Sequence, residues 1–120
     1  MQARLDLRTM TPEFVQRGGL RWGNSHWSGM NATWPFATLR ASEGGIVIAV
    51  RTFGLLDEEF NFKRSDIIRI RKKHGIPLLT IGIIIEHRKQ NCAPYVLFWT
   101  MSYSALKSGL LGVGYEVDES

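Results

Sequence analysis

Hydrophobic and polar positions alternate with a period of two along much of the chain from Phe36 onward. The run FATLRAS, residues 36–42, places Ala37, Leu39 and Ala41 on one face and Thr38, Arg40 and Ser42 on the other. Beyond the turn residues Glu43-Gly44-Gly45, Ile46, Ile48 and Val50 alternate with Val47, Ala49 and Arg51. Alternation flanking a glycine-rich turn predicts a hairpin of half-buried strands. After Gly54 the pattern resumes, with Phe60 and Phe62 on the inner face of residues 58–63 and Ile68 and Ile70 alternating with Arg69 and Arg71. His74-Gly75-Ile76-Pro77 reads as the next turn, followed by an apolar face of Leu79, Ile81, Ile83 and Ile85 in which Gly82 predicts a bulge or sharp bend. Residues 89–94 turn the chain into YVLFWT, where the alternation gives way to apolar residues on both faces.

The two ends of the chain read differently. Thr11-Pro12-Glu13 offers a hydroxyl cap, a proline at the first helical position and an acid in the first turn, and Gly18-Gly19 supplies a stop. A helix of about two turns is predicted there. A first strand around residues 20–22 and an irregular, tryptophan-bearing loop over residues 23–34 follow. At the other end, Ser102 or Ser104 caps a helix whose Tyr103, Leu106, Leu110 and Val113 form one apolar stripe, with Gly109, Gly112 and Gly114 weakening it in isolation. Its helicity must come from docking, so it reads as a lid. The implied organisation is an N-terminal extension over residues 1–19, a strand-rich unit with its helix over residues 20–115, and a tail over residues 116–120. The fold class is mainly β: a small antiparallel barrel of about seven strands capped by an amphipathic helix.

Composition narrows the function classes. The chain has 120 residues, 44% of them hydrophobic and 22% charged, enough for one self-sufficient core and too apolar for wholesale disorder. A single Cys92 excludes an internal disulfide and makes a reducing, cytoplasmic setting the expectation. The first ten residues lack the apolar stretch of a secretion signal, and the most apolar segment, residues 76–85, is too short to span a bilayer as a helix, so no integral membrane segment is expected.

This order of elements resembles the pleckstrin-homology superfold, and more closely the short bacterial PH-like or GRAM-like proteins. The resemblance rests on Asn31-Ala32-Thr33-Trp34-Pro35-Phe36, on Glu43-Gly44-Gly45-Ile46, on Ser65-Asp66-Ile67-Ile68-Arg69-Ile70, and on residues 95–100 running into residues 104–111. It covers roughly residues 20 to 115 and implies a non-enzymatic binding or scaffolding module. Members that bind phosphoinositides do so with basic residues between the first two strands. Here residues 23–34 hold no Lys or Arg, so that function is not carried over.

Charge is concentrated. Fifteen Lys and Arg against eleven Asp and Glu give +4, yet residues 63–73 alone hold six cations against the single Asp66. Lys63, Arg64, Arg69, Arg71, Lys72 and Lys73 are candidate anion- or partner-binding residues, joined by Arg88 and Lys89 if the flanking strands pair. Such a stripe attracts acidic protein surfaces or anionic head groups, and otherwise serves solubility and protects a sheet edge. No aromatic residue lies beside the arginines to stack bases, which makes nucleic acid the weaker partner class. Trp22, Trp27 and Trp34 are a candidate aromatic surface for a protein partner, or alternatively a core plug.

Catalytic signals are few. His87 and Cys92 would form a thiol–imidazole pair only if their turn folded back, and no third group activates them. His26, His74 and His87 lack metal-binding spacing, and Gly109-Leu110-Leu111-Gly112-Val113-Gly114 lacks the Lys-Ser/Thr of a phosphate loop. No cofactor, metal or catalytic residue is expected. Two alternatives to a binding module remain open: a small-ligand carrier or small enzyme with a barrel-mouth pocket lined by Phe60, Phe62 and Trp99, and a self-assembling protein burying outward-facing Val47, Ala49 and Ile84.

Overall fold

The computed structural model describes residues 12–25, 28–55, 57–74 and 81–120. Among them eight strands form one sheet: β1 (Phe14–Ser25), β2 (Ser28–Ser42), β3 (Gly45–Val50), β4 (Glu58–Lys63), β5 (Ile67–His74), β6 (Ile81–His87), β7 (Tyr95–Thr100) and β8 (Val117–Asp118). A 3-10 turn, Arg64–Asp66, precedes β5, and one α-helix, α1 (Tyr103–Gly112), lies between β7 and β8. The spatial order is β4-β3-β2-β1-β7-β6-β5-β8. Neighbours among β1–β7 are antiparallel, whereas β8 runs parallel to β5.

The alternation of residues 36–63 translates directly into packing. Leu39 faces Ile48, which faces Phe60; Ala41 faces Ile46, which faces Phe62. All six are buried. They share one core with Ile70, Ile83, Ile85 and Phe98 from the far half of the sheet, so the sheet curls around its own interior. Leu106, Leu110 and Val113 join the same core, placing α1 as its cover. The helix ends where Gly114, at φ +97°, lets the Tyr115 N–H return to the Leu110 carbonyl at 2.9 Å.

Three expectations are corrected. The helix expected between Thr11 and the glycine pair is not formed: from Phe14 the chain is strand, because Phe14, Gln16 and Gly18 turn inward while Val15 and Arg17 turn out. The glycine pair that reads as a helix stop is instead where β1 begins to pair with β7, at Gly19↔Trp99, while β2 stays on its other edge. A Cβ on Gly18 would lie 2.3 Å from the Trp99 carbonyl oxygen, and one on Gly19 would lie 2.2 Å from the Trp99 ring. Second, residues 28–34 belong to β2 rather than to a loop. Between the pairs Gly18↔Ala37 and Leu20↔Ala32, β1 advances two residues and β2 five, and the excess contains the cis Trp34-Pro35 peptide. Third, Gly82 marks no bulge, since β6 and β7 pair without interruption. A Cβ there would lie 2.3 Å from the Phe98 carbonyl oxygen, so glycine permits close approach of β7.

Parity also shifts along β5. A register irregularity between Ile67 and Arg69 leaves Ile68 58% exposed, while Ile67 and Ile70 turn toward the core. The turn read at residues 74–77 and the inward Leu79 lie largely outside the described residues; His74 ends β5.

Candidate functional site

The basic residues divide into two groups. β5 and β6 do pair, but their register sets Ile67 opposite His87 and Lys73 opposite Gly82. Arg88 and Lys89 therefore sit at the start of β5, not beside Arg71 and Lys73. The Arg88 N–H donates to the Asp66 carbonyl at 2.9 Å, and Lys89 Nζ donates to the Asn61 carbonyl on β4 at 2.6 Å. Lys63 ends β4 at the same side of the sheet, its N–H donating to the Asp66 carboxylate at 3.0 Å. The eight cations do not form one stripe.

Arg64 acts as a latch. Its guanidinium donates to the Glu43 carbonyl at 3.1 Å and to the Gly114 carbonyl, and lies 4.4 Å above the Tyr115 ring. The β2–β3 turn is thus tied to the end of α1, beside a cleft of about 520 Å³ lined by Pro12, Glu43, Leu111 and residues 112–114.

The β5 group is built around carboxylates. By parity Arg69 and Arg71 emerge on the outer face, as expected, and there Glu86 of β6 meets both. Arg69 Nε and Nη2 each donate to one Glu86 oxygen at 3.1 Å, a two-pronged contact, and Arg71 Nε donates to Oε2 at 2.7 Å. The third prong, Arg69 Nη1, reaches Asp118 of β8 at 3.1 Å. These arginines hold the Glu86 carboxyl below the ordinary range, Arg69 first, and the same hydrogen bond raises Arg69.

On the other side of β5 the helix contributes. Lys72 Nζ sits 4.7 Å over the Tyr103 ring, whose hydroxyl donates to Glu119 at 2.6 Å; Lys107 pairs with the same carboxylate at 3.1 Å. The Tyr103 bond and then Lys107 lower Glu119, while burial and Glu119 push the Tyr103 phenol up. Asp118 is lowered mainly by the Ser120 hydroxyl and N–H, with Arg69 adding to it. Three of the four cations on β5, Arg69, Arg71 and Lys72, are thus already engaged by the chain's own acids or by Tyr103.

The aromatic group separates as well. Trp22 is 7% exposed and meets Phe60 edge-on with centroids 5.6 Å apart, so it is core rather than surface. Trp34 is 46% exposed, and Trp27 lies outside the described residues. The sequence reading missed a more exposed apolar pair, Phe53 (92%) and Leu55 (89%), at the β3–β4 turn. Their signal was the Phe53-Gly54-Leu55 string, hidden because a loop has no periodicity to violate.

The barrel-mouth pocket is corrected. Phe60 and Phe62 fill the interior, but Trp99 pairs with Gly19 and Gly82 and points to the opposite face, as neighbouring Phe98 takes the inward position. Ile84 is likewise no outward surface, being 6% exposed; Val47 and Ala49 are half-buried. An open cleft of about 280 Å³ does lie at the rim, over Trp22 and Phe60 and beside Lys89, Asn91 and Cys92. The His87 ring is occupied: Nε2 lies 2.9 Å from the Ala93 carbonyl and Nδ1 accepts the Lys89 N–H at 3.1 Å. That leaves His87 no ring nitrogen for Cys92, whose thiol burial pushes up. Among the described residues no group of three His, Cys, Asp or Glu could hold a metal ion, and no helix is long and apolar enough to cross a membrane.

No protein-family model matches the chain, and no curated protein matches it.

Proposed function

We propose that the protein is a non-enzymatic binding module of the pleckstrin-homology-like, GRAM-like type that recognises an acidic protein segment through β5. The observation that carries this reading is the Arg69 guanidinium, which divides its donors between Glu86 of β6 and Asp118 of β8. One strand thus already engages a carboxylate delivered by a separate segment. The family reading is supported by two antiparallel meanders, β1–β4 and β5–β7, joined where β1 pairs with β7 and covered by a single helix after the last antiparallel strand. A protein acid suits the site better than a lipid head group, because the anions these arginines already hold, Glu86 and Asp118, are side-chain carboxylates met by the planar guanidinium fork. A reducing cytoplasmic setting goes with the half-buried lone thiol of Cys92.

The test is fluorescence anisotropy across a salt series, using a dye-labelled acidic peptide, EVDESEVDES, beside phosphatidylserine–phosphatidylcholine vesicles and duplex DNA. The reading expects salt-sensitive binding of the peptide that weakens in Arg69→Ala and Arg71→Ala. Retention on vesicles or DNA alone, or no binding at all, would overturn it.

A second reading, self-association, is favoured by the exposed Phe53 and Leu55. Light scattering over a concentration series decides it: growth in mass that Phe53→Ser and Leu55→Ser abolish supports assembly, and a persistent monomer ends it.

A further inference from the structure

We infer that β8 is an intramolecular stand-in for the partner, so that the chain occupies its own binding strand and the partner enters by displacing residues 116–119. This deepens the function proposed for β5 and rests on it. The partner it specifies is an extended segment of the pattern apolar-acid-acid that adds to β5 as a parallel strand.

Four observations carry this. First, β8 is two residues long and pairs only Val117 with Ile70 and Asp118 with Arg71, in the one parallel contact among the described strands. Antiparallel neighbours elsewhere pair over four to ten positions, so β8 gains little from backbone bonding. Second, its side chains are read alternately, as an added strand's are. Val117 packs against the core, Asp118 takes the outer-face prong of Arg69, and Glu119 takes the Tyr103 hydroxyl and Lys107 on the helix side. Third, the charged contacts lie at partly solvated positions, where each ion pair holds weakly and a longer competitor gains by adding more of them. Fourth, β5 continues through Lys72, Lys73 and His74 beyond the last residue β8 pairs with, and among the described residues no strand occupies that edge. A ligand longer than β8 extends along that stretch of β5, which carries Lys72 and Lys73.

Occupation by β8 reduces apparent affinity by the fraction of molecules in which the strand edge is open. Neutralising Asp118 of β8 and Glu119 just beyond it raises that fraction without removing a residue. The test measures anisotropy of the labelled EVDESEVDES peptide against the full chain and against its Asp118→Asn/Glu119→Gln variant, with hydrogen exchange at Ile70–Lys73 as a second readout. The inference expects the double variant to bind about tenfold more tightly and to exchange faster at those amides, with Arg69→Ala in the same background abolishing the gain. Equal binding by both chains would overturn the self-occupied site while leaving β5 as a partner surface. Absence of binding by the released variant would overturn the partner surface itself, and the inference with it.

Discussion

The ring of Phe14 on β1 packs directly against Gly109 of α1: a Cβ at that position would lie 2.1 Å from Phe14 Cδ1 and 2.5 Å from Cγ. Helix propensity and packing therefore oppose one another at this residue. Gly109→Ala should lower stability by roughly 1–2 kcal/mol, the overpacking term exceeding the gain in helix propensity. Gly112, at the end of the same helix, has nothing within 4 Å of where a methyl would be added, so Gly112→Ala should raise stability by up to about 1 kcal/mol. Urea denaturation of the two variants reads opposite signs.

Arg64 joins the turn at Glu43 to the end of α1 at Gly114 and covers Tyr115, whose own hydroxyl donates to the Ser42 carbonyl at 2.7 Å. Arg64→Ala should cost about 1–2 kcal/mol, combining lost charged hydrogen bonds with a lost cation–π contact. Arg64→Lys should recover only part, because a single ammonium does not reproduce the planar fork over the ring. Thermal unfolding of both variants tests the ranking Arg, Lys, Ala.

Attachment of β8 should depend on pH at both extremes. Asp118 and Glu119 are held below their ordinary values, so their contribution is complete above about pH 5 and is lost as the pH falls through their folded-state values. The Tyr103 phenol is held above its ordinary value by burial and by Glu119, so its contribution is complete below about pH 10 and is lost on further rise. Val117 methyl resonances should stay constant through neutrality and move toward solvent-exposed values in acid. A shift centred between about pH 6 and 8, the range in which histidine titrates, would contradict this.

Cys92 should alkylate slowly at neutral pH. Burial disfavours its thiolate, and the neighbouring His87 is committed to Ala93 and Lys89. Iodoacetamide labelling should accelerate only as the solution becomes alkaline beyond an ordinary thiol, in the range above about pH 9. Rapid labelling near neutrality would contradict this.

Much of the fold was legible because strands β2, β3 and β4 each bury one face. There the sequence alternation is the packing itself, and a shift of one residue would expose every core side chain. The start of β1 was misread because Thr11-Pro12-Glu13 carries a local helix signal, whereas Gly18 and Gly19 are glycine for a tertiary reason, the approach of Trp99. Trp99 itself sits in a run that is apolar on both faces, where alternation assigns no side. At the candidate site, the outward placement of Arg69 and Arg71 followed from parity. Their partner Glu86 did not, since the pairing of β5 with β6 depends on the turn between them and a register irregularity at its start. Two residues of β8 are too short to leave a periodic signal, so the acids that complete the site could not be read as a strand.

The account turns on β5 being a strand that reads acidic side chains, and backbone amide NMR during titration with the EVDESEVDES peptide examines that most directly. The account predicts shift changes confined to Arg69–His74, to Tyr103 and Lys107 of α1, and to residues 116–119 as β8 leaves. Changes centred on Phe53 and Leu55, or a spectrum unaltered at saturating peptide, would contradict it.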